Sequence, residues 1–312
     1  MTSRMAAGSI QSAIDLGTNT ILMVTGRVRP DGSVEILDDA HEIARLGKGV
    51  DAGGRILPDT IDRVCRFLCG YRKRAKELGS ERVRAFGTSA LRDAANKDEF
   101  IAAAAREDVE LVELSGDQEA RYTYAGAFFG LELPAARYAV LDIGGGSTEL
   151  ALGTDGRVET SQSVDVGAVR VTERFFSHLP PDARQVLEAE AMIGPILDGL
   201  FALPADVALV GVAGTVTTLG ALDTGTQSFD SRDLDGHRLL RPAVTALSER
   251  LLTMEHADIV ALPQVSDQRA DIIGAGALIL RTFLGSRGLE QITVSTRGIR
   301  YGLLLDMLSG SL

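Results

Sequence analysis

The run Asp142-Ile-Gly-Gly-Gly-Ser-Thr-Glu149 follows the apolar stretch that starts at Arg137 and leads into Leu150-Ala-Leu152. It reads as a strand ending in an aspartate, a glycine-rich turn, and a second strand resuming at about Glu149. In a P-loop or a dinucleotide fingerprint the glycines lead from a strand into a helix, so phosphate meets a helix N-terminus. Here they lead into another strand, and the turn formed by Gly144, Gly145, Gly146, Ser147 and Thr148 becomes a hairpin tip whose N–H groups can close on phosphate. Glycine permits a positive φ and a close approach of backbone to ligand.

The same pattern opens the chain. Ala13-Ile-Asp15-Leu-Gly17 matches Val140-Leu-Asp142-Ile-Gly144, with the two aspartates 127 residues apart. A duplication at domain scale is the simplest account, since two aligned copies each preceded by Asp are hard to reach by chance; a pair of ordinary hairpins is the bland alternative. Two such turns facing each other would grip a phosphate from both sides, with Gly17, Thr18, Asn19 and Thr20 forming the first. Asp15 and Asp142 at the turn bases would be placed for a hard cation. Mg²⁺ prefers one or two carboxylates plus waters and phosphate oxygens.

The whole chain agrees with a two-domain enzyme. Its 312 residues exceed what one hydrophobic core usually serves. It is 45% hydrophobic and 24% charged, close to the globular average. No apolar run reaches the roughly 18 residues of a membrane span, and Met1 to Ser12 lacks the layout of a secretory signal, so a cytoplasmic, membrane-free location is expected. The net charge of −11 argues against nucleic acid and anionic membranes as partners. Residues 1–100 hold 16 Lys and Arg against 14 Asp and Glu, whereas residues 101–312 hold 16 against 29. An anionic substrate must therefore find its attraction locally, on N-terminal arginines. Cys65 and Cys69, four apart on a helix face, read as reduced thiols.

Periodicity predicts strands within 12–28, a helix over 59–78 with Pro58 ahead and Gly79 behind, and a strand over 83–86. Asn96 with Glu99 three residues on predicts a capped helix to Arg106. A strand over 109–114 follows; the order of elements then begins again with a helix carrying Glu119 to Phe129 and a linker marked by Pro134. Later come a helix over 182–203, a strand over 207–212, Ala213-Gly-Thr215 opening a helix, an apolar helix over 268–284, a strand over 292–294 and a last helix from Arg297. Mixed strands and helices mean α/β layers. Gly214 and Thr215 open a small-residue turn that can bind a further phosphate or serve as a plain N-cap.

Seven segments in order carry a resemblance: Asp15-Leu-Gly-Thr-Asn-Thr20, Thr88-Ser-Ala-Leu-Arg-Asp-Ala94, Leu114-Ser-Gly-Asp-Gln-Glu-Ala-Arg121, Asp142 to Leu150, Val166-Gly-Ala-Val-Arg170, Ala213-Gly-Thr-Val-Thr-Thr218 and Arg269-Ala-Asp-Ile-Ile-Gly-Ala-Gly276. Together they resemble the exopolyphosphatase and guanosine pentaphosphate phosphohydrolase (Ppx/GppA) family of the actin-like superfamily. The resemblance implies two actin-like, ribonuclease H-like domains with a cleft that closes over substrate: residues 1–125 plus a C-terminal helix over 297–312, and residues 126–296. It implies hydrolysis of a terminal phosphoanhydride bond of inorganic polyphosphate, or of guanosine pentaphosphate. A homodimer is a further expectation, with no interface located.

The resemblance also implies roles. Glu119 becomes the general base, a carboxylate beside phosphate charge that raises its pKa; as a helix N-terminal glutamate it would interact with the dipole alone. Arg92 becomes the phosphate-binding arginine, its fork suited to phosphate oxygens; the alternative is a surface partner of Asp93 or Glu99. Asp142, Glu149 and Asp15 become the ligands of Mg²⁺, or of Mn²⁺ in its place. Two positions depart from the family pattern: Leu22 stands where many members have arginine, and Gln118 replaces an acidic neighbour of Glu119. An actin-like kinase is the competing reading, with Gly274-Ala-Gly276 as an adenosine pocket, although such a stretch in an apolar helix suits close helix packing.

Overall fold

The computed structural model describes residues 6–131, 137–154, 156–205, 207–226, 231–310 and 312. The chain forms two compact units, Met1–Tyr122 with Ile299–Leu312, and Thr123–Gly298. Pro134 lies outside the described residues.

In the first unit the strands are β1 (Ile10–Leu16), β2 (Thr20–Val28), β3 (Val34–Ile43), β4 (Arg82–Gly87) and β5 (Glu110–Glu113). They form one sheet in the order β3-β2-β1-β4-β5, antiparallel as far as β1 and parallel beyond it. Helices α1 (Val50–Gly53), α2 (Pro58–Glu77), α3 (Ser89–Asp93) and α4 (Lys97–Arg106) intervene, and α5 (Gly116–Ala127) follows β5. The parallel β1–β4 pair needs a crossover, and α2 supplies it. β1 is buried along nearly its whole length because both faces of the sheet are covered. The edge strand β3 instead carries Glu35, Asp38, Asp39 and Glu42, charges that suit an edge. Asn96 occupies the N-cap position of α4 but does not cap it: its Oδ1 accepts from the Ile56 N–H and its amide donates to the Ile56 carbonyl, tying α4 to the segment before α2.

In the second unit β6 (Arg137–Ile143), β7 (Thr148–Thr154) and β8 (Arg157–Val164) are followed by α6 (Ala168–Phe175), α7 (Ala183–Asp198) and β9 (Ala208–Val212). Then come α8 (Ala213–Thr224), α9 (Ser231–Leu234), β10 (Arg238–Leu240), α10 (Arg241–Thr253), α11 (His256–Val260), α12 (Ile273–Ser286) and β11 (Gln291–Val294). The sheet order β10-β11-β9-β6-β7-β8 repeats that of the first unit, with β10 added at one edge. Both units thus have a mixed sheet flanked by helices, an α/β architecture. The helix expected from Asp182 ends at Asp198, and the apolar one begins at Ile273 rather than Gln268. Asp182 does cap α7, in a reciprocal box with Gln185. The final helix α13 (Ile299–Ser309) belongs to the first unit and packs on β1 and β2.

The duplication survives at the level of register. Leu16 pairs with Ile21 and Ile143 with Thr148, so the two hairpins turn at matching residues. At the next pair the copies diverge: Asp15 faces Leu22, whereas Asp142 faces Glu149. Cys65 and Cys69 are free thiols. No helix among the described residues is long and apolar enough to cross a membrane.

Candidate functional site

In the first unit the Gly17 N–H donates to the Thr20 carbonyl at 2.9 Å and closes the β1–β2 turn. The segment after β3 braces it: the N–H groups of Ala44 and Arg45 donate to the Asn19 carbonyl at 3.0 and 2.8 Å, and that of Gly47 to the Thr18 carbonyl at 2.8 Å. A side chain at Gly47 would collide with the Thr18 methyl. Because a trans peptide sets its N–H opposite its C=O, the N–H groups of Asn19 and Thr20 face away from the brace.

The second unit repeats the device with different parts. The Gly144 N–H donates to the Ser147 carbonyl at 3.0 Å. The carbonyls of Gly144 and Gly145 accept from the N–H groups of Ala168 and Val169 at 2.9 and 2.8 Å, and the Gly146 carbonyl from Arg170 Nε at 2.7 Å. The same trans geometry turns the N–H groups of Gly145, Gly146 and Ser147 away from α6. None of Gly17, Gly144, Gly145 and Gly146 adopts a positive φ. Glycine serves here for close approach: a Cβ on Gly167 would sit 2.5 Å from the Gly146 nitrogen. The Thr148 hydroxyl is taken by the Val166 carbonyl at 2.6 Å, which leaves only its backbone to the turn.

Glu119 lies in the first turn of α5, which opens with a reciprocal box: the Ser115 N–H donates to the Gln118 side chain and the Gln118 N–H to the Ser115 hydroxyl. Gln118, the departure from the family pattern, therefore starts the helix that carries the candidate base. Glu119 is 8% exposed. Burial pushes its carboxyl above the ordinary range, against the opposing pull of the Arg92 guanidinium. Arg92 Nη1 lies 2.6 Å from Glu119 Oε2 and 3.0 Å from the Leu114 carbonyl. Arg92 thus forms an ion pair with the candidate base.

Asp142 and Glu149, directly opposite on β6 and β7, are 8% and 2% exposed. Glu149 Oε1 accepts from the Ser163 hydroxyl at 2.7 Å, and Asp142 Oδ2 from Thr123 at 3.5 Å. Carboxylates facing each other across a strand pair repel. A hard cation with oxygen preference removes that repulsion, so this donor pair fits Mg²⁺. Opposite Asp15 the matching place is held by Leu22.

At α8 the structure gives Gly214 and Thr215 packing duties. Half-buried Arg269 donates to the Gly214 carbonyl at 2.7 Å and to the Thr218 hydroxyl at 3.0 Å. A side chain at Gly214 would meet the Arg269 guanidinium, whose pKa burial lowers to about 10. The Thr215 hydroxyl donates to the Ile143 carbonyl at 3.2 Å, and Gly276 of α12 packs so tightly that a Cβ would lie 2.6 Å from the Thr215 oxygen. That small-residue stretch is a helix-packing site. Arg170 and Arg269 stand within the segments that carry the family resemblance, and residues 44–47 lie outside all seven.

The model of the Ppx/GppA phosphatase family matches residues 27–310. The chain belongs to that family. Among Ppx/GppA relatives it is 35% identical to "Exopolyphosphatase 2" of Mycobacterium tuberculosis, over 95% of this chain and 98% of that one. It is 29% identical to "Guanosine-5'-triphosphate,3'-diphosphate pyrophosphatase" of Vibrio cholerae, over 98% of this chain and 60% of the relative. The Ppx/GppA member from Aquifex aeolicus superposes with a TM-score of 0.82 at 29% identity, covering 97% of this chain and 98% of that one. The crystal structure of an exopolyphosphatase-like protein superposes at 0.89, also at 29% identity, covering 97% of this chain and all of its own.

Proposed function

We propose that this chain hydrolyses the terminal phosphoanhydride bonds of inorganic polyphosphate with the help of Mg²⁺, releasing orthophosphate. The observation that carries the reading is Glu119, a carboxylate buried at a helix start, raised by burial and fixed by Arg92. The full-length similarity to an exopolyphosphatase supports polyphosphate as the substrate class.

Water attacks the terminal phosphorus, the bond from phosphorus to the bridging oxygen breaks, and Glu119 takes the water's proton. Arg92 orients that carboxylate and supplies positive charge beside it. The turn N–H groups that face away from their braces, those of Asn19 and Thr20 and those of Gly145, Gly146 and Ser147, are the donors offered to phosphate oxygens. Asp142 and Glu149 would hold Mg²⁺, or Mn²⁺ on the same oxygen donors, and the cation would neutralise phosphate charge.

The test is phosphate release from long-chain polyphosphate, guanosine pentaphosphate and ATP by the purified chain with Mg²⁺ and no acceptor. Release from polyphosphate that disappears in Glu119→Ala is expected. Faster release from guanosine pentaphosphate would establish the second reading, which the Vibrio cholerae relative favours. No release from any of the three sinks both readings. Consumption of ATP alone, and only after a sugar or carboxylate is added, marks a kinase.

A further inference from the structure

The segment that follows the third strand of each sheet returns to hold the carbonyls of the phosphate turn, and the two units do so by different chemistry. In the first unit the backbone N–H groups of Ala44, Arg45 and Gly47 form braces. In the second the last brace is a side chain: buried Arg170 gives its Nε to the Gly146 carbonyl at 2.7 Å, and its backbone N–H to the Gly145 carbonyl at 3.1 Å. The peptide between Gly146 and Ser147 carries that carbonyl at one end and the Ser147 N–H at the other. Holding the oxygen fixes the direction of the N–H, because the peptide plane is rigid.

We propose that Arg170 is a positioning residue for phosphate, aiming the Ser147 N–H from behind the turn without touching substrate, and that Gly167 is glycine so that this brace can close. The inference rests on the reading of the turn as a phosphate grip. Two features support it beyond the single bond. All three glycine carbonyls are claimed from the same side. A Cβ at Gly167 would lie 2.5 Å from the Gly146 nitrogen and push the turn outward.

The test compares the wild type with Arg170→Gln, Arg170→Lys and Gly167→Ala. The readouts are KM and kcat on polyphosphate, the affinity for orthophosphate by calorimetry, and the melting temperature. A misaimed hydrogen bond to a charged phosphate weakens binding by about tenfold. Arg170→Gln and Gly167→Ala are therefore expected to raise KM and weaken orthophosphate binding together by about that factor. Arg170→Lys, which keeps one donor and the charge, falls between. A lower melting temperature with KM and orthophosphate affinity unchanged overturns the proposal, since a merely structural arginine would behave so. If Arg170→Gln fails to fold, Arg170→Lys and Gly167→Ala decide on the same readouts. Absence of polyphosphate hydrolysis by the wild type would overturn the functional reading instead, and orthophosphate affinity would still judge the brace. Equal affinities, or no orthophosphate binding by the wild type, overturn it.

Discussion

Arg92 Nη1 of α3 lies 2.6 Å from Glu119 Oε2 of α5, an ion pair that joins two positions 27 residues apart and sits largely out of solvent. It changes what each residue is for. The arginine expected to meet phosphate is also the group that fixes the candidate base. The pair holds the candidate base in one orientation, which would leave less ordering for the reaction step.

Replacing Glu119 with Gln removes the proton acceptor and keeps the shape. We expect kcat on polyphosphate to fall by about 10²–10⁴-fold, the usual contribution of a general base, with KM changed little. Steady-state phosphate release checks this, and a fall in KM of the same size as that in kcat would contradict it.

The pH profile has a definite sign. Burial raises the Glu119 carboxyl above its ordinary value of 4.5 and Arg92 pulls it down. The base works only when ionised, so activity rises with pH through a limb lying above 4.5. Arg92→Gln removes the downward pull and is expected to move that limb to higher pH, besides lowering kcat. A limb that stays in place would show that the pair does not tune the base.

Saturating Mg²⁺ is expected to raise the melting temperature of the wild type, by mass action on the folded state. Asp142→Asn and Glu149→Gln should lose that response. Without Mg²⁺ they should melt no lower than the wild type, because each relieves the repulsion between facing carboxylates. Differential scanning calorimetry with and without the metal reads both effects.

The C-terminal helix is fastened to the first sheet by Asp39. This carboxylate takes both arms of Arg300 at 2.9 Å and the Tyr301 hydroxyl at 2.6 Å. Burial pushes Asp39 up, yet Arg300 and Tyr301 outweigh it and hold the pKa below 3.8. The stability it supplies is present above the ordinary aspartate value and lost as pH falls through the lower folded value. Arg300→Gln should therefore unfold at lower urea at pH 7 and lose less on acidification. The cost should stay below the ~3–5 kcal/mol of a fully buried pair, since Asp39 keeps some solvent contact. Gly302→Ala, whose Cβ would overlap the Tyr122 carbonyl, should cost about 1–3 kcal/mol at any pH.

What the sequence determined by itself was local and repetitive. Asp15 and Asp142 with their glycines announced two strand-turn-strand units because a turn's chemistry is written in consecutive residues. The ordered segments announced the family, which the match over residues 27–310 bears out. The tertiary structure decided which distant groups meet those segments. Arg92 reaches Glu119, Arg170 reaches Gly146, and Arg269 claims the carbonyl of Gly214. It also showed Gln118 capping a helix and Leu22 filling the place that Glu149 fills in the other copy. Hydrogen bonds between residues 24 to 55 positions apart leave no periodic trace in the chain, because their partners are brought together only by the pairing of strands and the packing of helices.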